Sequence, residues 1–452
     1  MLITVLARHG ASPTSPFREL EISQFPNFIK ALAYVKMSAA RANAALGDLD
    51  EQKADVICQV CEEIAAGRHL GEFPLDVFQG GAGTSTNMNI IEVIANRGLE
   101  IMGLPRGKND QLHPNNEVNF AQSTNDVYPT AIRLAILLSR GALQRALEQL
   151  AGELEAKAES FSDVVKLGRT QLQDAVPMTL GQEFQAFATT LREDVARIGE
   201  IASLFYEISL GGTAIGTGIN TNPDYQAAAV AELHAISGVP VVSAGNLIEA
   251  CWDTGAFVLF SGMLKRTATK LSKICNDLRL LSSGPRGGLN EINLPALQPG
   301  SSIMPGKVNP EVPEMVNQVA FQIIGYDLTI TLASEAGQLQ LNAMEPVIAY
   351  NILHSLELLT NAVDVLRTKC IVGITANAGT CRKHLEASTA VATALTPAIG
   401  YERAAELAKE VLASGKTIRE VLAEQPDLSE DLIAQTADPH LLTRPTRSRL
   451  AS

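Results

Sequence analysis

Apolar residues recur every three or four positions over most of the chain, which is the spacing of a helix with one buried face. The pattern runs from about residue 26 to residue 68. After a polar interval it continues through five longer stretches: 131–161, 180–209, 254–284, 313–333 and 345–369. No stretch alternates apolar and polar residues long enough to predict a strand. The sequence therefore predicts an all-α fold.

The five long stretches set the expected architecture. Helices of about 25 to 30 residues are about 40 Å long, and a small domain cannot cover so much apolar helix surface. We therefore expect a central five-helix bundle that is buried further against other subunits in a multi-helix core. The sequence predicts three domains. Residues 1–123 form a mostly helical domain with polar loops, 124–377 the long-helix bundle, and 378–452 a small helical domain.

Composition and charge narrow the class of protein. Hydrophobic residues make up 46% of the chain and charged residues 19%, as in ordinary globular proteins. A net charge of −13, from 36 basic and 49 acidic residues, argues against binding to nucleic acid or an anionic membrane. No apolar run approaches the roughly 20 residues that span a bilayer, so we expect no membrane partner.

The six cysteines are scattered, and the N-terminus has no pattern typical of a cleavable signal. This usage predicts reduced thiols in a cytoplasmic protein. Cys58 and Cys61 form a C-x-x-C, but the residues around them have helical periodicity. We interpret them as two thiols packed on a helix rather than as a redox or zinc site.

Three polar clusters interrupt the helical pattern. They are GAGTSTN at 81–87, QSTND at 122–126 followed by GRTQ at 168–171, and GSSIMPGKVNP at 300–310. Taken singly, the first two are typical of turns and helix N-caps. The third places Lys307 and Asn309 among two serines, glycines and prolines, which suits a loop that binds a carboxylate. A serine beside a fixed ammonium and backbone N–H groups could have its alkoxide stabilised.

Other reaction classes lack their motifs. The chain has no G-x-S-x-G elbow on a strand, no H-E-x-x-H or paired His/Cys arrangement, and no P-loop. Its glycine-rich runs lack the strand–turn–helix context of a dinucleotide site. We therefore expect no metal ligands and no cofactor, while activation by a divalent cation stays open.

Together, the three clusters resemble the substrate-contacting segments of the aspartase/fumarase superfamily, and the likeness covers the chain from about residue 25 onward. GSSIMPGKVNP is the superfamily signature. The resemblance implies a lyase that makes or consumes fumarate. It also implies a homotetramer in which three subunits contribute to each active site, with a small dicarboxylate as the substrate.

Other segments indicate which group leaves. Gln171 stands where class II fumarases usually have a histidine, and NEINLPALQPG, AGQLQLNAMEPVI and GITAN are similar to aspartases. Hydroxide loss requires an acid to protonate the leaving oxygen, whereas an ammonium group already carries its proton. The resemblance therefore favours reversible loss of ammonia from L-aspartate. A class II fumarase is the main alternative, followed by a related amine-adding lyase and a non-catalytic structural member.

The resemblance also implies residue roles. Ser301 would remove the C3 proton, and Lys307 and Asn309 would stabilise the resulting aci-carboxylate, with Ser302 contacting the same carboxylate. The remaining substrate contacts would be Thr84, Ser123, Thr124, Asn125, Thr170 and Gln171.

Some positions depart from the family pattern. Residues 1–24 replace the family's N-terminal segment, and Arg18 is the nearest match to its arginine. At 112–119, His113 is similar to the fumarase version of a secondary anion site, but Asn116 and Glu117 depart from the usual pair. Glu314 matches the acidic residue that partners the fumarase histidine.

Overall fold

The computed structural model describes residues 20–426, 428, 429, 433 and 439–444. Arg18 and most of the atypical segment 1–24 lie outside the described residues. The α-helices of the described chain are α1 (Pro26–Ala45), α2 (Glu51–Ala65), α3 (Thr84–Ile101), α4 (Thr124–Ser160), α5 (Leu180–Ala202), α6 (Tyr225–Ser237), α7 (Leu247–Ala250), α8 (Gly255–Leu281), α9 (Glu311–Glu335), α10 (Glu345–Lys369), α11 (Ala378–Glu386), α12 (Ala392–Ile399), α13 (Tyr401–Ser414) and α14 (Ile418–Ala423).

The five long helices predicted from periodicity are α4, α5, α8, α9 and α10, and the helical fold is confirmed. Helix α4 has 37 residues, which corresponds to about 56 Å. Its leucines 143, 147, 150 and 154 follow the spacing of one helix face, and all four are fully buried. Each such side chain contributes about 1.5–3 kcal/mol through burial.

The expectation of no strands is wrong, and the longest strand pair carries the predicted site residue Thr170. Strand β1 (Val165–Thr170) pairs antiparallel with β2 (Gln173–Thr179). The pairing runs from Val165 opposite Thr179 to Thr170 opposite Gln173, with a register shift between Leu167 and Arg169. Four two-residue strands add a parallel pair, β3 (Glu207–Ile208) with β4 (Val242–Ser243), and an antiparallel pair, β5 (Ile292–Asn293) with β6 (Thr375–Ala376).

The chain forms two compact units, each built from separate stretches of sequence. The first unit comprises the chain up to Arg145, Val195–Ala268 and Phe321–Thr360. The second unit comprises Ala146–Asp194, Thr269–Ala320 and the described chain from Asn361 onward. The division into domains 1–123, 124–377 and 378–452 stays a prediction.

Within the second unit, α11 packs on β1, and Val165 and Leu167 share a buried cluster with Leu385 and Ala390. Helices α12 to α14 form a small core of their own around Leu395, Leu407 and Val421.

The described helices also bear on two predictions from composition. None of them is long and apolar enough to cross a membrane. Cys58 and Cys61 both lie on α2, where Cys61 is buried, as expected for thiols packed on a helix.

Candidate active site

The first polar cluster forms the entry to α3. Gly83 precedes the helix with a φ of +85°, and a Cβ there would lie 2.3 Å from the ring of Tyr128 in α4. Only glycine tolerates both the left-handed backbone and that close approach. Thr84 begins the helix and is exposed, and its hydroxyl donates to the carbonyl of Gly81 over 2.7 Å. The sequence GAG thus places Thr84 close to the first turns of α4.

The second cluster caps α4. The N–H of Asn125 donates to Oγ of Ser123 over 3.2 Å, so the triplet Ser-Thr-Asn does form the predicted helix cap. The side-chain amide of Asn125 donates to the carbonyl of Ala214 over 2.7 Å. Its Oδ1 therefore remains as an acceptor at the rim of the turn. Ser123, Thr124 and Asn125 are all half-buried.

Two buried charges support this turn. Burial lowers the pKa of Lys36 to about 7 and raises that of Asp126 to about 6, and the attraction between the two opposes both shifts. Asp126 belongs to the QSTND cluster but had no predicted role, and Lys36 was not predicted. A lysine on the apolar face of α1 (FIKALAYVKMSAA) was the available signal for Lys36.

The hairpin β1–β2 presents Thr170 and Gln171 at its tip, where both are exposed. Gln171 and Leu172 form a two-residue turn with φ values of 56° and 61°. Such a turn is the one that fits the twist of paired strands, but it normally selects Asn or Gly. Two ordinary side chains in this conformation store backbone strain, which proteins retain mainly at functional positions.

A buried ionic cluster holds the first strand of this hairpin. The guanidinium of Arg169 donates to Oε1 of Glu291 over 2.7 Å, and the ammonium of Lys166 lies 2.8 Å from Oε2 of the same carboxylate. Burial alone would raise the pKa of Glu291, but the cations of Lys166 and Arg169 outweigh burial and hold that pKa below its usual range. Glu291 precedes β5 in the segment that leads to the 300–310 loop.

The 300–310 loop closes on itself. The N–H of Gly300 donates to the carbonyl of Lys307 over 2.8 Å, and the amide of Asn309 donates to the carbonyl of Gly300 over 2.8 Å. A Cβ at Gly300 would lie 2.7 Å from the oxygen of Lys307, so the closure requires glycine. The N–H of Ile303 donates to Oγ of Ser301 over 3.3 Å. Ser302 and Lys307 are exposed.

The predicted residues thus fall into two groups. Thr84, Ser123, Thr124 and Asn125 lie in the first unit, where the packing of Tyr128 against Gly83 brings their segments together. The second unit carries Thr170, Gln171, Ser301, Ser302, Lys307 and Asn309.

Three other positions that were compared with the family pattern, His113, Glu117 and Glu314, have local partners. Nδ1 of His113 accepts the N–H groups of Asn115 and Asn116. The carboxylate of Glu117 accepts the N–H of His113 over 2.6 Å and pairs with Lys53 over 2.9 Å. Glu314 lies in the first turn of α9, 3.9 Å from Arg279.

Comparison with known proteins adds independent findings. Residues 17–325 match a family model described as Lyase, and residues 391–444 match one described as Fumarase C C-terminus. An aspartate ammonia-lyase from Pseudomonas canavaninivorans is 60% identical over 425 residues, which cover 94% of this chain and 90% of that protein.

Solved structures share the fold. The crystal structure of a fumarate lyase:delta crystallin from Brucella melitensis bound to cobalt is 56% identical, with a TM-score of 0.94 over 98% of this chain and 95% of that one. A class II fumarase from Schistosoma mansoni is 34% identical, with a TM-score of 0.92 over the same shares. The backbone of this chain fits both solved structures. Its sequence identity with the fumarase, 34%, is well below its identity with the aspartate ammonia-lyase, 60%.

Proposed function

The chain belongs to the aspartase/fumarase superfamily of lyases, and we propose that it catalyses the reversible elimination of ammonia from L-aspartate to give fumarate. One observation carries the choice of leaving group. Identity reaches 60% with an aspartate ammonia-lyase but only 34% with a class II fumarase of nearly the same backbone. Since the fold is common to both, the differing side chains decide the chemistry.

In the proposed reaction Ser301, as its alkoxide, removes the C3 proton of aspartate. The Ile303 N–H that reaches Oγ of Ser301 stabilises that alkoxide. The electron pair of the broken C–H bond moves into the adjacent carboxylate to form an aci-carboxylate, which the ammonium of Lys307 and contacts from Asn309 and Ser302 stabilise. The pair then forms the double bond of fumarate as the C–N bond breaks, and neutral ammonia leaves.

Residues of the first unit would bind the amino group and contribute to carboxylate binding. The amide nitrogen of Asn125 already donates to Ala214, so Asn125 offers its acceptor oxygen to a ligand. An ammonium group can only donate, and an acceptor therefore suits it. Thr84, Ser123 and Thr124 add hydroxyls, and Thr170 and Gln171 complete the contacts. Gln171 cannot act as an acid, but loss of ammonia requires none. The proposed reaction needs no metal or organic cofactor.

We also propose a homotetramer with shared active sites, in the cytoplasm. One face of α9 supports the assembly. Phe321, Ile324, Leu328 and Leu332 follow helical spacing of three and four residues, and each is 40–62% exposed in the single chain. An exposed apolar stripe of this kind is the seam along which helices of separate chains pack. The six free thiols fit a reducing compartment.

The test measures fumarate formation by ultraviolet absorbance with L-aspartate and, separately, with L-malate. The proposal predicts fumarate from aspartate and none from malate. Activity on malate alone would identify a class II fumarase instead. Inactivity on both substrates would reject the proposal and favour a related amine lyase or a structural member.

A further inference from the structure

Asp126 lies beneath the turn that carries three of the proposed substrate contacts, and it is fully buried. Its Oδ1 accepts the N–H of Ser123 over 2.9 Å. Its Oδ2 accepts the N–H groups of Gly211 and Thr213 over 3.1 and 3.0 Å. The three hydrogen bonds from backbone N–H groups to this carboxylate are charge-assisted, and such bonds are roughly twice as strong as neutral ones.

The two donors from the distant segment belong to the loop LGGTAIG at 210–216. Its backbone is unusual, because Gly211 and Thr213 have φ values of 92° and 53°. The same loop accepts the amide of Asn125 through the carbonyl of Ala214. The turn and the loop are thus joined twice, once by the carboxylate of Asp126 and once by the side-chain amide of Asn125.

Lys36 holds the residues that precede the turn. Its buried ammonium donates to Oδ1 of Asn119 over 2.8 Å and to Oε1 of Gln122 over 2.9 Å. Asn119 in turn donates to the carbonyl of Gln122 over 3.3 Å. Two buried charged side chains therefore hold this segment, and Lys36 and Asp126 attract one another.

We propose that Asp126 is a positioning residue for substrate binding, which holds residues 123–125 and the 210–216 loop together in the arrangement that binds the dicarboxylate. The inference rests on the proposed function of Ser123, Thr124 and Asn125 as substrate contacts. An asparagine at this position would be nearly the same size, but its NH2 group would face backbone N–H donors. Either the bond from Ser123 or the bonds from Gly211 and Thr213 would then be lost.

The experiment compares Asp126→Asn with Asp194→Asn. Asp194 is a matched control, because it is also fully buried and accepts a lysine, Lys270, over 2.7 Å, but it lies in the second unit on α5. Three quantities are measured: the KM for aspartate, kcat, and the dissociation constant of succinate by calorimetry. Succinate keeps both carboxylates and has no leaving group.

For Asp126→Asn we expect KM and the succinate dissociation constant to rise at least tenfold, and kcat/KM to fall about 10²-fold because the contacts are misplaced. For Asp194→Asn we expect lower stability with both binding quantities within twofold of the unaltered enzyme. Values within twofold in Asp126→Asn, or equal changes in both variants, would overturn the proposal.

Succinate binding separates this inference from the proposed function, because it needs no turnover. If the unaltered protein is inactive on aspartate but Asp126→Asn still weakens succinate binding, the positioning role stands and the proposed function is rejected. If Asp126→Asn does not fold, hydrogen exchange of the unaltered protein decides. Succinate should slow exchange in both 122–127 and 210–216, and protection confined to the first segment would overturn the proposal.

Discussion

The entry to α3 offers a sharp test of how the site is packed, through the substitution Gly83→Ala. A methyl group at Gly83 would meet two separate penalties. The φ of +85° costs a residue with a Cβ about 1–2 kcal/mol. The new Cβ would also lie 2.3–2.5 Å from three ring atoms of Tyr128.

Tyr128 has little room to yield. It is 2% exposed and packs edge-on against Phe28, with ring centroids 5.4 Å apart. Overpacking of a filled core costs about 1–3 kcal/mol. Together with the backbone strain, Gly83→Ala should lower the free energy of unfolding by about 2–5 kcal/mol.

Gly81→Ala is the matched control. Its φ is +81°, but its Cβ would meet only atoms of Thr84 at 3.6 and 3.7 Å, which is ordinary contact. It should therefore cost only about 1–2 kcal/mol. Urea unfolding at equal protein concentration measures both variants. Equal destabilisation of the two variants would refute the packing of Tyr128 against Gly83.

Three further outcomes follow from the same structure. Ser301→Ala should lower kcat by about 10²–10⁴-fold while leaving the unfolding curve unchanged. Burial raises the pKa of Glu345 to about 8 against the attraction of Arg133. The contribution of this carboxyl group to stability is therefore complete below its unfolded pKa, and it is lost as pH rises through about 8. Through this group, the free energy of unfolding of the unaltered protein should fall by about 1.4 kcal/mol between pH 7 and pH 9. Urea unfolding of Glu345→Gln should lack this fall. Leu172→Gly should raise the free energy of unfolding by about 0.5–1 kcal/mol, since glycine relieves the left-handed turn, whereas Leu172→Val should lower it.

The long helices were predictable because their apolar spacing persists over many turns, and persistent periodicity is the strongest local signal a chain carries. The ends of these helices were less predictable. Helix α4 begins at Thr124, before the apolar repeat, because Ser123 caps it. Helix α5 ends at Ala202, where a short 3-10 turn, Ser203–Phe205, follows.

The hairpin was missed for local reasons. Gly168 lies where the register shifts, Pro177 lies within the second strand, and Gln171-Leu172 replaces the Asn-Gly that marks a two-residue turn. Strict alternation never develops, and α11, which packs against β1, is distant in the sequence.

The candidate site was also only partly predictable from the sequence. Ser301, Lys307 and Asn309 follow from a contiguous motif, because one short loop holds them. Asp126 and Glu291 have partners 85 and more positions away, including Gly211 and Arg169. Only the folded chain brings such distant partners together, so no local pattern predicts them.

The most direct test of the central claim runs the reaction backwards. Fumarate is incubated with the enzyme and excess ammonium in D2O, and the products are identified by NMR. The proposed function predicts aspartate with a single deuterium at C3, delivered by the hydroxyl of Ser301, and no malate. Malate as the product, despite excess ammonium, would contradict it.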